Sequence, residues 1–197
     1  GVVEAERRML VGAGHEVISA FGHNEDIKNL LFARKQFYNN LDFILENNTI
    51  DIAHIHNVYH IIGNGIYKYL AQRGIPIIQT LHNFRFLCPA GLMLDNQHEL
   101  CERCSNGNFI HCFSKKCYQH SYVKSFLMRW LVKGGREQVT KHVTKFIALN
   151  PFFRDKFIEV GFDASKFIIK PNFLFSEQSS FSALGAHQNY ALFLGRL

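Results

Sequence analysis

No apolar run in this chain approaches the ~18 residues a helix needs to cross a bilayer, which excludes a helical membrane span. The first residues also lack the basic, apolar and small-residue layout of a secretory signal. Together these point to a cytoplasmic chain whose thiols are kept reduced. No Lys/Arg run is dense enough for a nucleic-acid tail. RNP-like, helix-turn-helix and zinc-finger His spacings are missing too, so no nucleic-acid partner is expected. What is present is ordinary globular material: 197 residues, 47% hydrophobic and 19% charged, enough for one large domain or one domain plus a fragment of a second. The net charge of +6 favours anionic partners such as nucleotide-sugar phosphates or acidic lipid headgroups, though a dispersed surface charge serves solubility equally.

Periodicity alternates between helix and strand. Residues 4–11 have a helical pattern, and 16–19 read as a short strand. From Asp26 onward, Leu30, Leu31, Phe37, Leu41, Ile44 and Leu45 fit one or two helices. The β-branched run over 50–55 predicts a strand buried on both faces of a parallel sheet. Helix, strand, helix and strand follow at 61–72, 75–80, 121–137 and 146–149. Asn150-Pro151 then supplies an N-cap and first-turn proline for a helix that ends near Gly161, before a strand at 167–169. This alternation predicts a Rossmann-like, doubly wound parallel α/β sheet. The domain is expected over 1–175, with a Cys-containing insertion at 82–120 too long for a plain connection. A Ser-rich linker at 176–189 and an apolar strand at 190–197 read as the approach to a second domain.

In such folds ligands bind outside the carboxyl ends of the strands. Two segments fall there: Asp51 to Asn57, ending in His56-Asn57, and Thr80-Leu81-His82-Asn83. Histidines so placed can donate hydrogen bonds to a sugar hydroxyl or a developing charge. His54, two residues back within its strand, reads as structural. In the insertion, Cys88, Cys101, Cys104 and Cys117 are spaced C-x12-C-x2-C-x12-C. A C-x2-C turn presents two thiolates to one tetrahedral ion, and the flanking pair completes a structural zinc shell; free thiols or an adventitious disulfide are the alternatives, and Cys112 is a fifth thiol that could substitute for a ligand or stand idle. Beyond it lies a basic and aromatic stretch from Lys115 to Lys133. On a helix, Phe126, Leu127, Trp130 and Leu131 form an apolar face with Lys124, Arg129 and Lys133 largely off it. Such a face is either core or a surface for anionic membrane lipid or a lipid pyrophosphate.

These segments, in this order, resemble glycosyltransferase family 4, the retaining GT-B enzymes. The resemblance rests on VVEAERRML followed by AGHEVI, then DIAHIHN, TLHNFRFLCPAG, CERC, HSYVKS, KPNF and finally FLGRL. It implies an acceptor-side N-terminal GT-B half, whose complete enzyme transfers a sugar from a nucleotide-diphosphate donor to a glycan or lipid-linked acceptor. His82 is similar to the family histidine near the donor sugar, and Arg196 to the arginine that contacts the donor diphosphate. Pro171-Asn172 matches the hinge-side segment. His56, Asn57, Asn83 and Arg85 are the expected substrate-binding set. The family's glycine-pair loop, Glu-x7-Glu segment and nucleotide domain have no counterpart in the sequence, so this chain alone is expected to be inactive. No catalytic cofactor is implied, and the expected location is the cytoplasm, at the inner face of the membrane. The competing reading is a non-catalytic α/β domain that binds an anionic glycan or lipid, stapled by four-cysteine zinc.

Overall fold

The structure is a computed structural model describing residues 1–22, 30–59 and 62–173. Its centre is a four-stranded, all-parallel sheet in the order β1 (Ala53–Ile55), β2 (Ile77–Leu81), β3 (Lys145–Ala148), β4 (Phe167–Ile169). The strands register Ala53 with Ile77, Gln79 with Phe146 and Ala148 with Ile169. Parallel strands need crossover connections, so each successive pair is joined through helix. Gly65–Ala71 (α3) lies between β1 and β2, Ile110–Ser114 (α4) and Tyr122–His142 (α5) between β2 and β3, and Pro151–Glu159 (α6) between β3 and β4. Two helices precede the sheet, Val2–Gly12 (α1) and Leu30–Asn47 (α2). The architecture is the Rossmann-like α/β one read from the alternation.

The strand interiors explain themselves. β2 buries both faces, with Ile77, Gln79, Thr80 and Leu81 almost entirely enclosed, as a central strand covered by helices must be. Phe146, Phe157, Phe162 and Phe167 pack edge-to-face and stacked beside it, with ring centroids between 5.1 and 6.5 Å apart. Phe84, just past β2, stacks on Phe153 of α6 at 4.3 Å, tying the segment after His82 to the core. The expected caps form. Asn150 accepts from the Phe153 amide at 2.8 Å with Pro151 in the first turn of α6, and Ser121 caps α5 through the Lys124 amide.

Three expectations need correction. Residues 16–19 form no strand: no neighbouring strand pairs with them, Ile18 is exposed, and an isolated strand has nothing to satisfy its backbone. The helix expected from 61 begins only at Gly65, because Gly63 takes a positive φ of 77° and donates its amide to Val58 O in a turn. The helix expected to stop at 137 runs to His142, straight through Gly134-Gly135. Gly135 is there for contact. A β-carbon at that point would come within 2.9 Å of Asn64 Oδ1, while Asn64 Nδ2 donates to Leu131 O at 2.7 Å and clamps α3 to α5. The faces of α5 decide between its two readings. Its buried side is Ser125, Met128, Val132, Gly135 and Val139, whereas Phe126, Leu127 and Trp130 are exposed.

Residues 82–120 carry little regular structure: one five-residue helix, α4, and a single antiparallel bridge between Leu94 and Leu100. Among the described residues, all five non-glycine residues with positive φ (Met93, His98, Lys116, Gln119 and His120) lie here. The expected linker at 176–189 and strand at 190–197 lie outside the described residues.

Candidate functional site

The parallel register brings the carboxyl ends of β1 and β2 side by side, and with them their histidines. His56 Nδ1 lies 2.8 Å from His82 Nε2, and the two rings stack with centroids 5.1 Å apart. His54 joins the group, its ring centroid 4.5 Å from that of His56 and its Nε2 2.7 Å from Thr80 Oγ1. Thus the histidine read as structural belongs to the same cluster as the two read as ligand-facing.

Helix α1 closes the cluster with a residue that sequence reasoning passed over. Glu6 is only 4% exposed, one of very few charged side chains at that depth. Its Oε2 stands 3.1 Å from His56 Nε2 and 3.6 Å from His54 Nδ1, without an aligned hydrogen bond, while Oε1 accepts from the Lys170 ammonium just after β4. A carboxylate taken this far out of water persists only with such partners. Burial pushes the Glu6 carboxyl up, but the Lys170 hydrogen bond and the nearby His54 outweigh it and hold the group below its ordinary value. Burial drives the imidazoles the other way: His56 falls to about 4, and His54 and His82 are lowered as well.

Those directions favour an ionised Glu6 and neutral imidazoles at neutral pH. A neutral imidazole has one N–H and one lone pair. The 3.1 Å approach of Glu6 Oε2 favours the tautomer with its proton on His56 Nε2; in that tautomer His56 Nδ1 is an acceptor and His82 Nε2 donates to it. His82 Nδ1 then carries the lone pair and can accept from a ligand hydroxyl. This tautomer chain follows from the partners and not from observed protons.

Below the histidines a buried polar pair fixes the strand end. Gln79 is almost fully enclosed; its Nε2 donates to His56 O at 2.7 Å and its Oε1 accepts from the Tyr67 hydroxyl at 2.6 Å. A lone Gln inside the apolar run Ile77 to Leu81 was the available signal, since a buried amide has to be satisfied.

Glu6, His54 and His56 also bring three metal-ligating atoms within 4.8 Å of one another. The Lys170 ammonium pairs with Oε1 of that carboxylate, on the oxygen away from the two histidines.

The remaining expected residues are distributed as follows. Asn57 follows His56 and is exposed. Asn83 Oδ1 accepts from the Arg85 amide at 3.0 Å in a turn, which occupies that oxygen. The Arg85 guanidinium donates to Pro89 O at 3.4 Å and lies near the Tyr59 and Tyr118 rings, in the wall of the following loop. That loop is tight: Gly91 has φ of 85°, and a β-carbon there would press within 3.4 Å of the guanidinium. Pro171 and Asn172 are exposed just beyond Lys170, and Arg196 lies outside the described residues.

The insertion forms a second centre. Cys88, Cys101, Cys104, Cys112 and Cys117, all the cysteines of the chain, line one cavity of about 20 Å³. None is in a disulfide. Burial pushes the Cys104 thiol up to about 11 and that of Cys112 up to about 12, and it raises Cys117 as well. Thiols shifted this way are not activated nucleophiles.

A parallel α/β domain with a polar cluster at its strand ends is the layout of a small-polar-ligand or transferase domain, and fold alone does not choose between them. The sequence model of Glycosyltransferase Family 4 matches residues 3–175, and the chain belongs to that family. No curated protein and no solved structure matches it. No helix among the described residues is long and apolar enough to cross a membrane.

Proposed function

We propose that the chain is the acceptor-side half of a retaining glycosyltransferase that uses a nucleotide-diphosphate sugar, with His82 at the reacting sugar. The observation that carries this is the Glu6–His56–His82 relay at the carboxyl ends of β1 and β2 in a family 4 domain. Glu6 orients His56, His56 fixes the tautomer of His82, and His82 offers an acceptor to a sugar hydroxyl. Such a neutral, pre-aligned imidazole requires no reorganisation when the sugar arrives. His56, Asn57 and Arg85 flank the path of the acceptor, and Arg196 contributes to the donor diphosphate.

The acceptor class is a lipid-linked glycan met at an anionic cytoplasmic membrane face. Support comes from α5, where Val123, Phe126, Leu127 and Trp130 form an exposed apolar ridge, Val123 at 70% and Trp130 at 71%. At ~100° per residue this ridge lies opposite the buried Met128, Val132 and Val139, and Lys124 and Arg129 fall on its two sides. No acidic residue occurs in α5 before Glu137. Aromatic and apolar residues flanked by cations are the composition of an interfacial helix. Trp130 is the single tryptophan of the chain, so its emission reports on this ridge directly. It should shift to the blue with vesicles containing anionic lipid and stay unchanged with neutral ones.

The decisive assay is sugar transfer by the full-length protein over a panel of nucleotide-diphosphate sugars and lipid-linked acceptors. His82→Ala should lower kcat by roughly 10²-fold, the scale of losing one preorganised polar group. Undiminished transfer by that variant removes His82 from the mechanism. Glycan binding with no transfer to any acceptor would favour the non-catalytic reading.

A further inference from the structure

We infer that Cys88, Cys101, Cys104 and Cys117 form a structural four-thiolate zinc site that staples the insertion, with Cys112 as a non-ligating thiol beneath it. The first argument is convergence. Every cysteine of the chain reaches one cavity of about 20 Å³. That is the room of roughly one water-sized sphere, the scale of a single ion and far below that of an organic ligand.

The second argument is delivery by three separate turns, each held by its own backbone. Cys88 N donates to Phe84 O at 2.7 Å, and Gly91 N returns to Cys88 O at 2.8 Å. Cys101 N donates to Met93 O at 2.9 Å, and Gly107, at φ of 89°, donates to Cys104 O at 3.0 Å. Cys117 N donates to Cys112 O at 3.0 Å, closing the turn after α4. Cys112 is held differently. It sits within α4, 1% exposed, with its thiol 3.9 Å from Ser125 O on α5. Cys117, half-buried on the free turn beyond, can move where a helix residue cannot.

The third argument is charge and strain. Arg103 and Lys115 line the same cavity and offset the two net negative charges of a four-thiolate zinc; Asp95 also lines it, its Oδ1 engaged by the Gln97 and Glu99 amides. The insertion holds all the strained non-glycine φ angles among the described residues and almost no regular structure, so something other than helix or sheet must over-determine it. Among the described residues only Glu6, His54 and His56 have three ligand atoms mutually within 4.8 Å, so the sulfurs stand around the cavity rather than closed upon it. Drawing them to the roughly 2.3 Å of a Zn–S bond tightens the turns, and the binding free energy becomes folding free energy of the insertion. Four Zn–S bonds form as four S–H protons pass to water, with no change of oxidation state. The closed shell leaves no position for catalysis.

The test is metal content of the full chain purified without added metal. One zinc per chain is expected, lost in Cys101→Ser and Cys104→Ser and retained in Cys112→Ser. Should the serine variants fail to fold, stripping the parent and refilling it with Co(II) reads the site instead. The thiolate-to-cobalt charge-transfer and tetrahedral d–d bands of an all-sulfur shell support the assignment. A metal-free parent without those bands overturns it, as does a mixed sulfur–nitrogen spectrum implicating His111 or a disulfide among these cysteines. Retention in Cys101→Ser with loss in Cys112→Ser overturns the choice of ligands.

Discussion

Ala53–Ile55, Gly65–Ala71 and Ile77–Leu81 satisfy their backbones as a strand, a helix and a second strand whose ladders reach β3, and Ile66, Leu70, Ile77 and Leu81 all face the core. Between His82 and His120 one short helix and one bridge stand in for all of that, while Leu92 and Leu100 face solvent. Yet the insertion has anchors in the same core: Phe86, Leu87, Phe109 and Cys112 pack in the cluster that holds Ile77 and Phe157. The sheet half is stabilised by repeating contacts that tolerate local loss. The insertion is stabilised by a few points, and residues between those points follow no regular hydrogen-bonding scheme. Regular elements and point-anchored loops should therefore open at different free energies.

The sharpest way to break this comparison is to truncate one phenylalanine in each region. Phe157, with no exposed surface, should cost about 3–5 kcal/mol as Phe157→Ala and lower the single cooperative transition of the domain, read by circular dichroism in urea. Phe109→Ala removes a side chain of equal burial from the insertion. It should raise amide exchange across 82–120 far more than it moves that transition. Equal losses in one shared transition would show that the two regions are a single cooperative unit.

A second prediction concerns the histidine cluster. The folded His56 sits at about 4, against 6.5 for an exposed imidazole. Between those values the unfolded chain binds the proton first, so His56 contributes stability that is present above 6.5 and lost as pH falls toward 4. Glu6, His54 and His82 are lowered too and act in the same direction. The effect of His56 reaches at most about 3 kcal/mol. His56→Gln should flatten the fall in urea midpoint between pH 7 and pH 4.5. An unchanged slope would mean that the imidazole is not held neutral by the fold.

What could be read from the residues divides along the same line as the comparison. Strands at Ile77–Leu81 and Phe167–Ile169 and the Asn150 cap were legible because apolar periodicity and capping are local properties. The pairing of His56 with His82 was half legible: both ends could be placed beyond a sheet, but their 2.8 Å contact depends on register. Glu6 was not legible at all. It sits in an amphipathic helix beside Glu4, which is half-exposed and paired with Arg7 and Arg8, and nothing in the spacing says which of the two turns inward. The α5 ridge stayed open between core and surface for a related reason, since a helix with two apolar faces does not reveal which one meets the core.

Gln79→Leu gives the third prediction. The substitution keeps the volume of β2 but leaves the Tyr67 hydroxyl and His56 O unpaired inside the core. It should cost roughly 1–3 kcal/mol. Tyr67→Phe in the same background should recover part of it, because the orphaned hydroxyl goes. A double variant no more stable than Gln79→Leu would show that the Tyr67 hydroxyl is not what the loss depends on.

The smallest effect gives the finest comparison, because it sets one turn against another of similar chemistry. Asn150 accepts the Phe153 amide at the start of α6, and Asp95 accepts the amides of Gln97 and Glu99 in the insertion. Each is a side-chain oxygen satisfying nearby backbone donors. Asn150→Ala should lower global stability by about 1 kcal/mol, since α6 carries Phe153 and Phe157 into the core and its first turn cannot fray alone. Asp95→Ala lies at an exposed turn closed by the single Leu94–Leu100 bridge, so the urea midpoint should hardly move. Exchange of the Gln97 and Glu99 amides should rise all the same, since those donors lose their acceptor whatever the sheet does. A midpoint shift as large as that of Asn150→Ala would tie this turn to the core, making the insertion part of the sheet's cooperative unit.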